Sequence, residues 1–146
     1  MSASIDIKDQ IIGKINALSN VEVVYPAPQN NPSGWPAVFV VSTDMEGEFS
    51  SNTENSRVYA YSVLILFPEG QDFIPETTRN RLDYAERVVA EVIDDIINAV
   101  DTDYELDSSP VLFVNASDCE WGTYQYEGGV AKAANITLRV YTEKVI

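Results

Sequence analysis

The sequence predicts a single α/β (α+β) domain in which a mixed, mostly antiparallel sheet of five to six strands carries two helices, with a β-meander at the carboxyl end. Three observations lead there. Two stretches space their apolar residues three and four apart, the period that gathers side chains on one helix face. Several others alternate, or run apolar, in the manner of strands. The length of 146 residues, with 45% hydrophobic and 22% charged side chains, suits one folded core.

The first helix is expected over about residues 4 to 19, where Ile7, Ile11, Ile12, Ile15 and Leu18 share a face. Ser4 supplies a cap, Asp6 and Asp9 suit the positive end of the dipole, and Ser19-Asn20 gives a polar exit. Val21, Val23 and Val24 form a short β-branched run before a loop from Pro26 to Pro36, rich in Pro, Asn and Ser, with Trp35 near its end. Ala37 to Val41 is continuously apolar, as in a strand covered on both faces. The polar stretch 44–56 reads as the tip of a long hairpin. Its second arm, Arg57 to Phe67, sets Tyr59, Tyr61, Val63, Ile65 and Phe67 on one face and Val58, Ala60, Leu64 and Leu66 on the other. With both faces apolar, that arm belongs in mid-sheet.

The second helix is expected to begin near Pro75, since proline tolerates the missing amide bond of a first turn. Leu82, Ala85, Val89, Val92, Ile93, Ile96 and Val100 give it an apolar stripe of about seven turns. Beyond the acidic link from Asp101 to Ser109, the runs Val111 to Val114, Glu120 to Glu127 and Ala134 to Val140 are expected as a three-stranded meander, the last two joined at Gly128-Gly129.

Charge and composition exclude several function classes. Nine Lys and Arg stand against 23 Asp and Glu, a net charge of -14 with no histidine. Such a chain repels phosphate backbones and anionic lipid, so neither tight DNA binding nor membrane association is expected. The opening residues have no basic and apolar leader pattern, and no apolar run is long enough to span a bilayer, so the protein is expected to remain unexported. Cys119, the only cysteine, excludes an intramolecular disulfide.

Without histidine there is no Ser-His-Asp triad, Cys-His pair or histidine metal site. None of Lys8, Lys14, Lys132 and Lys144 lies in a phosphate loop or a Ser-x-x-Lys setting. The run Asp101-Thr102-Asp103-Tyr104-Glu105-Leu106-Asp107 resembles the start of a calcium loop, but Leu106 takes the place of its glycine and Leu112 that of its bidentate glutamate. No catalytic, metal or cofactor site is therefore expected. Residues 88 to 131 hold ten acids and no Lys or Arg: Glu91, Asp94, Asp95, Asp101, Asp103, Glu105, Asp107, Asp118, Glu120 and Glu127. Trp35 and Phe49 are aromatics in polar surroundings, which suits either clasps over a core edge or contacts for another subunit.

The order of features resembles the tail terminator (tail completion) and related head-to-tail joining proteins of long-tailed bacteriophages. It is an initial helix, a short strand, a Pro/Asn loop ending in Gly34-Trp35-Pro36-Ala37-Val38-Phe39-Val40, the long alternating strand Arg57 to Phe67, one long helix and a β-meander closing with a strand such as Ala134 to Tyr141. The resemblance implies a non-enzymatic virion protein, made in the bacterial host cytoplasm and forming a homo-oligomeric ring, usually a hexamer, on the end of the tail tube. The ring would stop tube polymerisation and meet the head connector. The 26–36 loop and the 44–56 tip would then be docking surfaces, with Trp35, Asp44, Glu46, Glu48, Phe49 and Glu54 as interface candidates. Glu91, Asp94, Asp95, Asp101, Asp103, Glu105 and Asp107 would be candidates for an acidic lumen through which DNA slides without sticking. The alternative is an acidic binding module, an inhibitor or DNA mimic that recognises a basic protein. A third reading, a carboxylate-dependent metal enzyme, calls for saturable Mg²⁺ or Mn²⁺ binding.

Overall fold

The computed structural model describes residues 3–49, 54–78, 83–106 and 111–145. Helix α1 (Ala3–Asn16) is followed by strands β1 (Val23–Tyr25), β2 (Ala37–Phe49) and β3 (Glu54–Pro68). Two 3-10 turns (Gln71–Phe73 and Glu76–Thr78) lead to helix α2 (Tyr84–Thr102) and strands β4 (Val111–Tyr126) and β5 (Gly129–Val145). The strands form one sheet in the order β1-β2-β3-β5-β4. β1 lies parallel to β2, and every other neighbouring pair is antiparallel. This is the mixed, mostly antiparallel sheet with two helices that the sequence predicts, and the alternating strand β3 sits at its centre.

Both helices pack on one face. Ile7, Ile11 and Ile15 of α1 and Val89, Val92, Ile96 and Val100 of α2 meet Val38, Val40, Tyr61, Val63, Ile65, Ile136, Leu138 and Val140 in one buried cluster. Each fully buried aliphatic side chain in it contributes roughly 1.5–3 kcal/mol. The opposite face carries a smaller cluster of Ala37, Phe39, Leu66, Ala131 and Ala133, flanked by Tyr25, Trp35, Tyr124 and Tyr126. Two covered faces account for the continuous apolar run in β2 and the two apolar rows of β3.

Four expectations are corrected. α1 ends at Asn16 instead of continuing to residue 19. The long helix begins at Tyr84, not at Pro75: the Pro75 carbonyl accepts the Thr78 amide at 2.9 Å, a bond that closes a separate 3-10 turn. α2 thus has 19 residues, about 28 Å at 1.5 Å per residue, and Leu82 lies outside the described residues. The polar stretch 44–56 is mostly ladder: Asp44 pairs with Ala60, Glu46 with Val58, Glu48 with Ser56 and Phe49 with Asn55. Residues 50–53 of the expected tip lie outside the described residues. The meander of three strands is a pair, because Val111–Val114 and Glu120–Tyr126 belong to one strand, β4, whose irregularities at Val111/Phe113 and Ala116/Asp118 leave its pairing with β5 continuous.

Candidate interaction surfaces

The 26–36 loop folds back over the helix-free face of its own sheet. The Tyr124 hydroxyl donates to the Gln29 carbonyl at 3.1 Å, and the Glu127 amide donates to the Asn30 carbonyl at 2.7 Å. Within the loop the Tyr25 hydroxyl lies 3.0 Å from the Ser33 hydroxyl and accepts from the Ser33 amide at 2.8 Å, and these bonds, the side-chain one first, lower the tyrosine's pKa. Trp35 is half-buried, edge-on to Tyr126 at 4.9 Å and to Phe73 at 6.4 Å between ring centroids. Phe39 continues the cluster, edge-on to Tyr25 at 6.0 Å and to Tyr124 at 5.5 Å. Trp35 therefore clasps the loop to the β4–β5 hairpin of the same chain. Its partner Tyr126 lies some ninety residues away in sequence, as Tyr124 does from the loop carbonyl it bonds, and no spacing signal links them.

Asp44 is exposed, and its pairing with Ala60 places it in the row Asp44–Ala60–Arg139–Asn115 across the sheet. Pleating puts that row on the face opposite the helices, because the neighbouring row through Tyr61 and Leu138 is in the helix-covered core. The Asp44 carboxylate accepts the amide of Met45 at 2.8 Å. Glu46, Glu48 and Phe49 occupy the following positions of β2, and Glu54 opens β3 opposite Val145.

The second acidic set lies in the other layer. Glu91, Asp94 and Asp95 are exposed along α2, and Asp95 accepts from the Asn20 side-chain amide at 2.6 Å. Asp101 and Glu105 are exposed, whereas Asp103 is half-buried and ion-paired with Lys14 of α1. Asp107 lies outside the described residues. Asp44 and the α2 acids thus face opposite sides of the sheet, and no single surface holds both. Leu106 is fully buried with φ 54°, so the position that a calcium loop gives to glycine here plugs the core. Among the described residues no group of three or more Cys, Asp or Glu could hold a metal ion, and no helix is long and apolar enough to cross a membrane.

β4 forms one edge of the sheet and is largely exposed beyond Val114. Trp121 is 44% exposed, with the Lys132 ammonium 5.6 Å from its ring centroid. Phe113, also exposed, stacks on Tyr141 at 4.5 Å with 17° between planes. Cys119 is exposed, and partial desolvation raises its thiol pKa, which disfavours the reactive thiolate. The opposite edge is shared: β1 pairs only with Ala37 to Phe39, so β2 from Val40 to Phe49 has no outer ladder partner among the described residues. Neither edge is legible in the amino-acid sequence, because an unpaired edge is a property of strand order and not of any residue run.

No family model matches the chain, and no curated protein matches it. Among solved structures it is similar to a chain of "Virion of native gene transfer agent (GTA) particle", with a TM-score of 0.47 and 10% sequence identity, over 97% of this chain and 95% of that one.

Proposed function

We propose that this chain is a non-enzymatic structural protein of a phage-like virion. In this reading it is a tail terminator or tail completion subunit that forms a homo-oligomeric ring at the end of the tail tube, stops tube growth and joins the tail to the head connector. The observation that carries the reading is the element order α1, β1, β2, β3, α2, β4 and β5, assembled into one sheet, which follows the order on which the sequence resemblance rests except that a strand pair stands in place of the closing meander. The two open sheet edges support it further, since a subunit that presents different edges at its two sides suits head-to-tail closure.

In such a ring only one layer faces the channel. If it is the helix layer, Glu91, Asp94, Asp95, Asp101 and Glu105 supply the negative wall past which DNA slides; if it is the sheet, Asp44 does, with the rest of its face. Negative-stain microscopy and sedimentation of the purified chain, alone and with isolated tail tubes, test the reading. Rings, or caps on tube ends, support it. A stable monomer that ignores tubes and binds a basic protein one to one supports the acidic binding module instead.

A further inference from the structure

We infer that the open edge of β4 in one copy pairs, antiparallel, with the open edge of β2 in the next, so that the ring closes as a continuous sheet; this rests on the ring reading above. The inference comes from strand sense. β2, β3, β5 and β4 are neighbours in that order, and each step is antiparallel, so β4 runs opposite to β2. Three reversals separate them. In a ring whose axis the strands run along, a neighbour related by rotation keeps its strand sense. Its β2 therefore meets β4 antiparallel, the more stable pairing, and the alternation runs on from one subunit to the next.

The alternative, β4 against β4 across a two-fold axis, would leave the β2 edge of both copies open and stop at a dimer. Pairing β4 with β2 beyond its β1-paired residues covers the open stretch Val40–Phe49 in every copy of a closed ring, which is how closed sheets remove their edge strands. Neither edge contains proline, the residue that would block a ladder. The side chains agree. Met45 is 53% exposed and lies in the row Met45–Tyr59–Val140–Val114, while Trp121 lies in the row Val38–Ile65–Ala134–Trp121. Both rows belong to the helix-bearing face. Joining the edges therefore sets exposed apolar side chains of two copies on one side of the new ladder. In the single chain the Met45 amide is held by the Asp44 carboxylate; pairing would offer it a main-chain carbonyl instead.

Ser42→Cys and Met45→Cys, made separately with Cys119 retained, place one thiol on each edge of a full-length chain. Sedimentation velocity first establishes whether each variant and the parent form rings, which judges the ring reading alone. Under mild oxidation of rings, head-to-tail pairing gives a covalent ladder of dimer, trimer and higher species in at least one variant, and none in the parent. In parallel, amide exchange in rings should slow by about tenfold or more along 41–45 and 116–123, while exposed amides elsewhere keep their rates. Rings with no ladder in either variant and unchanged edge exchange overturn the inference and leave the ring reading intact. Covalent dimers of the parent through Cys119 also overturn it, in favour of β4 against β4. Absence of rings under every condition, with tubes included, rejects the ring reading and this inference together.

Discussion

The hydroxyl of Tyr61, in the central strand β3, donates a 2.7 Å hydrogen bond to the main-chain carbonyl of Ser4 in the first turn of α1. The ring is fully buried and the bond spans 57 residues of sequence, so it fixes where the first helix starts over the sheet. Tyr61→Phe is expected to cost about 1 kcal/mol, read as a lower urea midpoint with an unchanged m-value. Burial, the largest influence, raises the tyrosine's pKa above its ordinary 10.0. A raised folded pKa means that the contribution of Tyr61 is fully present below about pH 10 and is lost as pH rises above it, because the unfolded chain ionises first. The Phe variant should lack that alkaline loss.

The stripe of α2 carries the main core. Ile96 is fully buried among the strands, while Leu112 on β4 is half exposed. Ile96→Ala is expected to cost about 2–5 kcal/mol, whereas Leu112→Ala should change chain stability by about 0.5 kcal/mol or less. Denaturant unfolding of the two variants checks this directly.

Trp35 and Tyr126 are expected to be energetically coupled. A double-mutant cycle with Trp35→Ala and Tyr126→Ala should give an interaction of about 0.5–1.5 kcal/mol in the isolated chain. No measurable coupling would show that the 26–36 loop is held by its hydrogen bonds alone. If Trp35→Ala also impairs ring formation at conditions where the monomer stays folded, the clasp serves a subunit contact as well.

Self-association should rise with ionic strength. The proposed edge pairing sets Asp44 of one copy near the strand that carries Asp118 and Glu120 of the next, against a net charge of -14 on every chain. Screening shortens the reach of that repulsion from about 30 Å at 0.01 M salt to about 3 Å at 1 M. Light scattering across a salt series should show assembly favoured at the high end. Asp44→Asn should move the onset to lower salt, and an onset that moves the other way would contradict the arrangement.

Much of this fold was legible because its core obeys simple periods. Ile7, Ile11 and Ile15 announced α1, and the double alternation from Arg57 to Phe67 announced a central strand covered on both sides. What stayed hidden was strand held by backbone pairing alone. Asp44 to Phe49 and Asn115 to Asp118 carry the polar residues of turns, yet both are ladder, because an exposed strand needs partners for its amides and not apolar side chains. The start of α2 is not legible for a local reason: Pro75 suits the first turn of either helix type, and the bond from Thr78 back to its carbonyl chooses the tighter one. The acidic residues were all visible in sequence, but their division between two sides of the sheet depends on strand register, which no local run encodes.

The most direct test is sedimentation velocity of the full-length chain at raised salt over a wide concentration range. The expected result is one discrete assembly of fixed stoichiometry that stops growing as concentration increases, the behaviour of a closed ring. A chain that stays monomeric throughout and caps no tail tube, or one that grows into a continuous series of ever larger species, would contradict it.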